Sequence, residues 1–414
     1  MRALMAMFAV LAVLFVAGCG HDASPTAPST TPPVENLGDV VAADAVQDID
    51  PALRSATAWI QRFTYLSRSG INDSAARVTA LLLIPKGQPP DGGWRVVAFG
   101  HPATGTLTDC APSLSPTLLG SASTVQQLLA AGYVVVMSDY QGLGNFQGPG
   151  SVPKSQDWRQ DRDSYHPYMD SSTAGYNLID SVRAARTLTA RANTPTSDSW
   201  LAFGIGQGGQ AAWAANELID NAGGGLTLLG SVAISPVTDI NGLADDAAAG
   251  TLNVQQELDL QAFLAAVKNA YGDDFNLDDY RSGIVKDNWD ALLACAGQAL
   301  QERATVAEQI TPDDLRPHSP TAVARLRGFL QKTSLPQGPT KVPMLVTYDG
   351  RDPLSPPAWT ELALDRACKM GDVIQIQRLP DDAPEQPDLS AALDWMSQRV
   401  NAVPAPNDCE GRVS

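Results

Sequence analysis

Residues 200–210 carry the densest chemical signal in the chain. An apolar run, Trp200 to Phe203, is followed by Gly204-Ile205-Gly206-Gln207-Gly208-Gly209 and then by an alanine-rich stretch. A short buried strand, a Gly-x-x-x-Gly turn and a helix form the sharp bend on which hydrolytic enzymes present a serine, whose hydroxyl attacks an acyl carbon. Here the central position is Gly206, which has no side-chain oxygen.

Acyl transfer by a serine needs four things: the hydroxyl, an imidazole to take its proton, a carboxylate to orient that imidazole, and N–H donors for the developing oxyanion. Asp352 follows an apolar strand, in a Gly-x-Asp-Pro turn late in the chain, and is the candidate acid. The Gln207 backbone N–H is one candidate oxyanion donor. A second would come from the loop after the Trp94–Phe99 strand, but His101 is followed there by Pro102, which has no N–H. No histidine follows Asp352: the last is His318, and the loop where a base is due (residues 380–388) is acidic, with Asp381, Asp382, Glu385 and Asp388. Its spacing matches no EF-hand, and the loop reads as solvated. Ser235, Ser355, His101 and His166 are the other groups near these turns, and each reads more simply as structural.

The elements that must position these residues alternate. Trp59–Ser67, Val78–Ile84, Trp94–Phe99, Tyr133–Met137, Trp200–Phe203, Leu228–Ile234, Val342–Tyr348 and Val373–Leu379 read as strands. Ser123–Ala131, Thr173–Leu188, Gln210–Leu218 and Leu389–Val400 read as helices. Fully apolar strands separated by helices predict an α/β fold with a mostly parallel sheet covered on both faces. Residues 240–336 break the rhythm: they offer helical runs at Val254–Tyr271, Trp289–Ala299 and Thr321–Leu330 and no strand, which predicts a helical cap inserted into the sheet order.

Five segments in order resemble the secreted lipases of bacteria and fungi, the lipase A type of the α/β-hydrolases. They are Gly100-His101 to Thr104-Gly105 with Cys110-Ala111-Pro112-Ser113; Asp139-Tyr140-Gln141-Gly142-Leu143-Gly144; His166-Pro167-Tyr168 with Asp180 to Ala185 after it; Gly204 to Gly209; and Val342 to Pro356. The likeness spans roughly residues 55–410. It implies an α/β-hydrolase fold, a carboxylic ester hydrolase ancestry, Gly206 at the nucleophile position and Asp352 at the acid position. It also implies that His101, Asp139, Tyr140 and His166 border the ligand pocket. The expected reading is a member whose hydrolytic machinery is lost and which binds a lipid or other apolar ligand. The competing reading is an active lipase or esterase with a non-standard nucleophile and base. A weaker third is a cell-surface interaction protein.

The remaining features bound the setting. Met1 to Cys19 has a positive Arg2, an apolar core from Leu4 to Val16 and small residues before Cys19. This resembles a bacterial lipoprotein signal, with Cys19 as the lipidated first residue, and predicts an exported protein held on a membrane surface, at the outer membrane or cell surface. The expected organisation is signal 1–18, Ser/Thr/Pro-rich tether 19–50, core 51–239, cap 240–336 and core 337–414. Four further cysteines, Cys110, Cys295, Cys368 and Cys409, suit two disulfides in an exported chain, with three pairings open to residue counting alone. The lipase resemblance implies Cys110–Cys295 and Cys368–Cys409. A net charge of -17 across 414 residues argues against nucleic-acid binding. No cofactor or metal site is expected, and oligomeric state is not legible.

Overall fold

The computed structural model describes residues 36–144, 165–295, 299–350, 352–380 and 389–412. The signal segment, Cys19, the tether up to residue 35 and the acidic loop at 381–388 lie outside them.

Among the described residues, nine strands form one sheet in the order β1-β2-β3-β5-β4-β6-β7-β8-β9. They are β1 (Val40–Ala45), β2 (Thr57–Arg68), β3 (Ala75–Pro85), β4 (Trp94–Gly100), β5 (Tyr133–Ser138), β6 (Thr196–Ile205), β7 (Thr227–Ile234), β8 (Met344–Tyr348) and β9 (Ile374–Arg378). The first four in sheet order pair antiparallel, and β5 to β9 are parallel. β5 is buried along its whole length and β4 nearly so, as a sheet covered on both faces requires. This is the predicted α/β architecture.

Among the described residues, twelve α-helices accompany the sheet: α1 (Pro51–Ala56), α2 (Ala122–Ala130), α3 (Ser171–Arg191), α4 (Gln207–Ala222), α5 (Leu243–Ala249), α6 (Val254–Tyr271), α7 (Gly283–Asp287), α8 (Trp289–Leu292), α9 (Ala299–Ala307), α10 (Pro320–Thr333), α11 (Pro357–Lys369) and α12 (Ser390–Val400). α3 and α4 cover one face through Leu178, Val182, Ala211 and Ala215. α1, α2 and α12 cover the other, with Leu53, Leu128 and Trp395. The Asp170 carboxylate starts α3 by accepting the Thr173 N–H at 2.8 Å. Among the described residues no helix is long and apolar enough to cross a membrane.

Between β7 and β8 the described regular structure is helical only. α5 to α10 build their own core, with Leu260, Phe263, Leu264, Phe275, Leu326 and Leu330 buried. Helix α6 opens with a reciprocal capping box between Asn253 and Gln256. The run expected at Trp289–Ala299 is instead broken: α8 stops at Leu292 and α9 starts at Ala299.

A second departure lies at the N-terminal side. The last residues of the expected tether form β1, an edge strand whose Val40 pairs with Tyr65 and whose Ala45 pairs with Gln61. Its sequence, VVAADA, buries little and shows no apolar alternation that would mark it. The opposite edge is closed differently. The outward N–H groups of β9, from Ile374 and Ile376, donate to Asn407 Oδ1 (3.4 Å) and Asp408 Oδ2 (2.7 Å). The Cys368–Cys409 bridge fastens that C-terminal segment, and Cys110–Cys295 ties the loop after β4 to the helical segment. Both pairings are those the resemblance implies.

Candidate active site

The bend between β6 and α4 turns on Gly206, at φ 59° and ψ -119°. That backbone region is strained for any residue with a Cβ. The Gly206 N–H donates to the Ile234 carbonyl at 2.9 Å, so β7 holds the bend in place. Two neighbouring glycines are obligatory for packing. A Cβ on Gly204 would overlap the Gly208 carbonyl, and one on Gly208 would overlap the Gly100 carbonyl. Gly206 differs: a Cβ there would meet only Pro102, at 3.9 Å. The geometry that presents a nucleophile is intact, space for a side chain is present, and the residue supplies none.

Gln207 opens α4, so its backbone N–H has no intrahelical acceptor and remains the one oxyanion-type donor expected from sequence. The chain nearest the Gly206 bend on the other side is Pro102, without an N–H.

The Gln207 side chain is turned inward and engages a buried histidine, with its Nε2 3.0 Å from His166 Nε2. His166 Nδ1 lies 2.9 Å from the Gln141 carbonyl. A carbonyl only accepts, so we assign the proton to Nδ1; His166 Nε2 then accepts from the Gln207 amide. Burial pushes His166 down to about 4, which keeps the ring neutral. His101 is held likewise, its Nδ1 2.7 Å from the Pro102 carbonyl, and burial lowers it to about 4. Tyr140 sits between the two imidazoles, its ring centroid 4.4 Å from that of His101 and 5.9 Å from that of His166. Tyr168 closes the stack edge-on to His166 at 5.9 Å. Asp139 accepts the Ser113 N–H (2.9 Å), the Ser113 hydroxyl (2.5 Å) and the Thr79 hydroxyl (2.6 Å). Burial still raises its carboxyl to about 6, against those bonds.

His101, Asp139, Tyr140 and His166 are at most 3% exposed. They form a packed, internally bonded layer beneath the bend and line neither cavity described below. The loops after β4 and β5 fold over them, with Tyr140 donating its hydroxyl to the His101 carbonyl.

Asp352 lies after β8, two strands across the sheet from β6. Its Oδ1 accepts the Leu354 and Ser355 N–H groups at 2.9 and 3.0 Å, so it organises its own turn. Burial raises its carboxyl, and the Asp349 and Asp259 charges add to that. None of its hydrogen bonds among the described residues goes to a histidine. Of the four histidines, His21 lies outside the described residues, His101 and His166 are in the buried layer, and His318 is exposed ahead of α10. Ser235 follows β7 at φ 42°, and its N–H donates to the Thr347 carbonyl. Ser355 Oγ lies 3.5 Å from Thr360 Oγ1. Neither hydroxyl bonds a histidine among the described residues. The one described cluster dense enough in His, Cys, Asp and Glu for a metal is Asp109, Cys110 and Cys295, where the two sulfurs are bonded to each other.

Two cavities flank Tyr168. One, of about 380 Å³, lies between residues 103–106, α6, α8 and α9. The other, of about 200 Å³, lies between α6, α10 and the start of α3. Sequence reasoning missed the polar groups of the larger one, Asp259 and Arg303. Both sit on helices with ordinary patterning and nothing local distinguishes them.

Residues 117–271, which include the loop after β5 and the Gly206 bend, match the family described as secretory lipase. Over that segment the chain resembles the secretory lipases. The lipase-like chain superposes on lipase A of Candida antarctica in its closed state with a TM-score of 0.67, at 15% identity, over 91% of this chain and 89% of that one. It superposes on the rice cell wall degrading esterase LipA of Xanthomonas oryzae with a TM-score of 0.65, at 18% identity, over 91% and 97%. At these identities the likeness establishes the fold of the lipase-like chain and no activity. No sequence among the curated proteins matches it. The secretory family match and the two disulfides both point to export.

Proposed function

We propose that this chain is an exported, lipid-anchored relative of the lipases that no longer hydrolyses esters and binds an apolar ligand between the sheet and the helical segment α5–α10. One observation carries the loss of catalysis: the strand-to-helix bend keeps its nucleophile geometry while its central residue is Gly206. The imidazole nearest in the hydrogen-bond network supports it, because His166 Nε2 is already occupied by Gln207. A triad needs oxygen, imidazole and carboxylate in one line; here the first is missing, the second is engaged elsewhere, and Asp352 serves its own turn. Anchoring is supported by the small residues before Cys19. Ligand binding is supported by the two cavities beside Tyr168, whose walls combine aliphatic and polar side chains.

The test is hydrolysis of short and long p-nitrophenyl esters by the unaltered protein, together with a fluorophosphonate probe. No turnover above background and no covalent adduct are expected. Turnover with an adduct on any serine would replace this reading by that of an active esterase with an unorthodox nucleophile. Palmitate labelling that is lost in Cys19→Ser tests the anchor.

A further inference from the structure

The turn after β8 and the helix that follows it, α11, grip the helical segment α5–α10 at its neck and at the start of α6. Asn253 and Gln256 form the α6 capping box through their side-chain oxygens: Asn253 Oδ1 accepts the Gln256 N–H at 2.9 Å, and Gln256 Oε1 accepts the Asn253 N–H at 3.1 Å. Capping needs only an acceptor, which is why serine and glutamate commonly fill these positions. The two amides carry donors as well, and both donors meet the same turn. Asn253 Nδ2 donates to the Pro353 carbonyl at 2.7 Å, and Gln256 Nε2 donates to the Leu354 carbonyl at 3.4 Å. Asp352 builds that turn, its Oδ1 accepting the Leu354 and Ser355 N–H groups. The Leu354 side chain is buried among the apolar residues of the helical segment.

The neck is where the segment leaves the sheet and returns to it. Arg366, on α11, donates to Asp239 Oδ2 at 2.6 Å on the outgoing side and to the Leu335 carbonyl at 2.8 Å on the returning side. The two sides also meet each other, the Leu335 N–H donating to the Thr238 carbonyl at 3.3 Å. Trp359 of α11 presses on the outgoing side at Gly242, where a Cβ would overlap its ring. One guanidinium fork thus spans both halves of the neck, which the point charge of a lysine does not do. Helix α6 walls both cavities beside Tyr168, with Leu258 and Ala262 in one and Phe263 and Val267 in the other.

We propose that the stretch from Asp352 to Arg366 is a clasp that fastens the helical segment to the sheet and so controls access to both cavities. Asp352, at the acid position of the fold, is a positioning residue for α6, and Arg366 pins the neck. The assignment holds whether or not the protein hydrolyses esters or binds a ligand.

The test is amide hydrogen exchange in the whole protein, compared for the unaltered chain, Asn253→Asp, Asp352→Ala, Asp352→Asn and Arg366→Met. Asn253→Asp keeps the helix cap and removes the donor to the turn, so a role in starting the helix alone leaves exchange unchanged. The clasp predicts exchange about fivefold or more faster over the first two turns of α6, with β5 unaffected. Asp352→Ala should give the same local pattern. Asp352→Asn should restore the unaltered rates, because its amide oxygen still accepts the N–H groups of the turn. Arg366→Met should speed exchange at Leu243 and Leu335, on the two sides of the neck. Unchanged α6 exchange in Asn253→Asp, Asp352→Asn exchanging as fast as Asp352→Ala, or an Arg366→Met effect spread evenly through the sheet would each overturn the assignment. Should Asp352→Ala fail to fold, Asn253→Asp and Arg366→Met decide it.

Discussion

Gln207, the residue after the nucleophile position, donates its side-chain amide to Nε2 of the buried His166 across 3.0 Å. The His166 imidazole is therefore tied into the buried layer at both ring nitrogens. Gln207→Leu should leave His166 Nε2 unpaired inside the protein, at a cost of about 1–3 kcal/mol, read as a lower denaturation midpoint. A midpoint equal to that of the unaltered protein would mean that the pair contributes nothing.

The same environment fixes the protonation of two histidines. With His101 and His166 both lowered to about 4, their ring resonances should not titrate between pH about 5 and about 8. The linkage has a definite sign. A histidine depressed in the fold supplies stability that is present above its ordinary value near 6.5 and is lost as pH falls through about 4. A titration midpoint near 6.5 for either ring would contradict the buried layer.

Gly206→Ser meets no steric barrier, since its Cβ would lie 3.9 Å from Pro102. It acquires instead a Cβ at φ 59°, which should cost about 1–3 kcal/mol. Ester hydrolysis should stay at background, because no base is placed beside the new hydroxyl. Denaturant melts and p-nitrophenyl ester assays check both halves, and a fast esterase would show that a histidine does reach the bend. Gly208→Ala should be far worse than Gly206→Ser, since its methyl would overlap the Gly100 carbonyl.

Glu217 on α4 is pushed by burial up to about 8, although its Oε2 accepts the Gln337 N–H at 3.1 Å. A carboxyl raised in the fold contributes stability below its ordinary value near 4.5 and loses it as pH rises through about 8. Glu217→Gln should flatten the stability profile over that window and leave the variant the more stable protein at its alkaline end. Chemical denaturation at several pH values measures this, and an unchanged slope would refute it.

Much of the sheet could be read from its residues, because a run such as Tyr133-Val134-Val135-Val136-Met137 has no other plausible home than a strand covered on both sides. The bend at Gly206 was equally legible from its flanking glycines. β1 was hidden because Val40–Ala45 is an edge strand with few buried side chains. α11 was hidden behind Pro353, Pro356 and Pro357, which signal a turn until one sees that Pro357 occupies the first helical position. The Gln207–His166 pair joins positions 41 residues apart, and the Arg303–Asp259 cavity joins different helices. Pairings of that kind depend on how side chains meet in space, which periodicity does not encode.

The side chains of Asn407 and Asp408 accept the Ile374 and Ile376 N–H groups of β9, while among the described residues no strand pairs with the outer side of β1. Extension of the sheet from the β9 side is therefore obstructed at two of its outward amides. Backbone pairing between copies through the β1 edge would join like to like, and such an association closes after two copies.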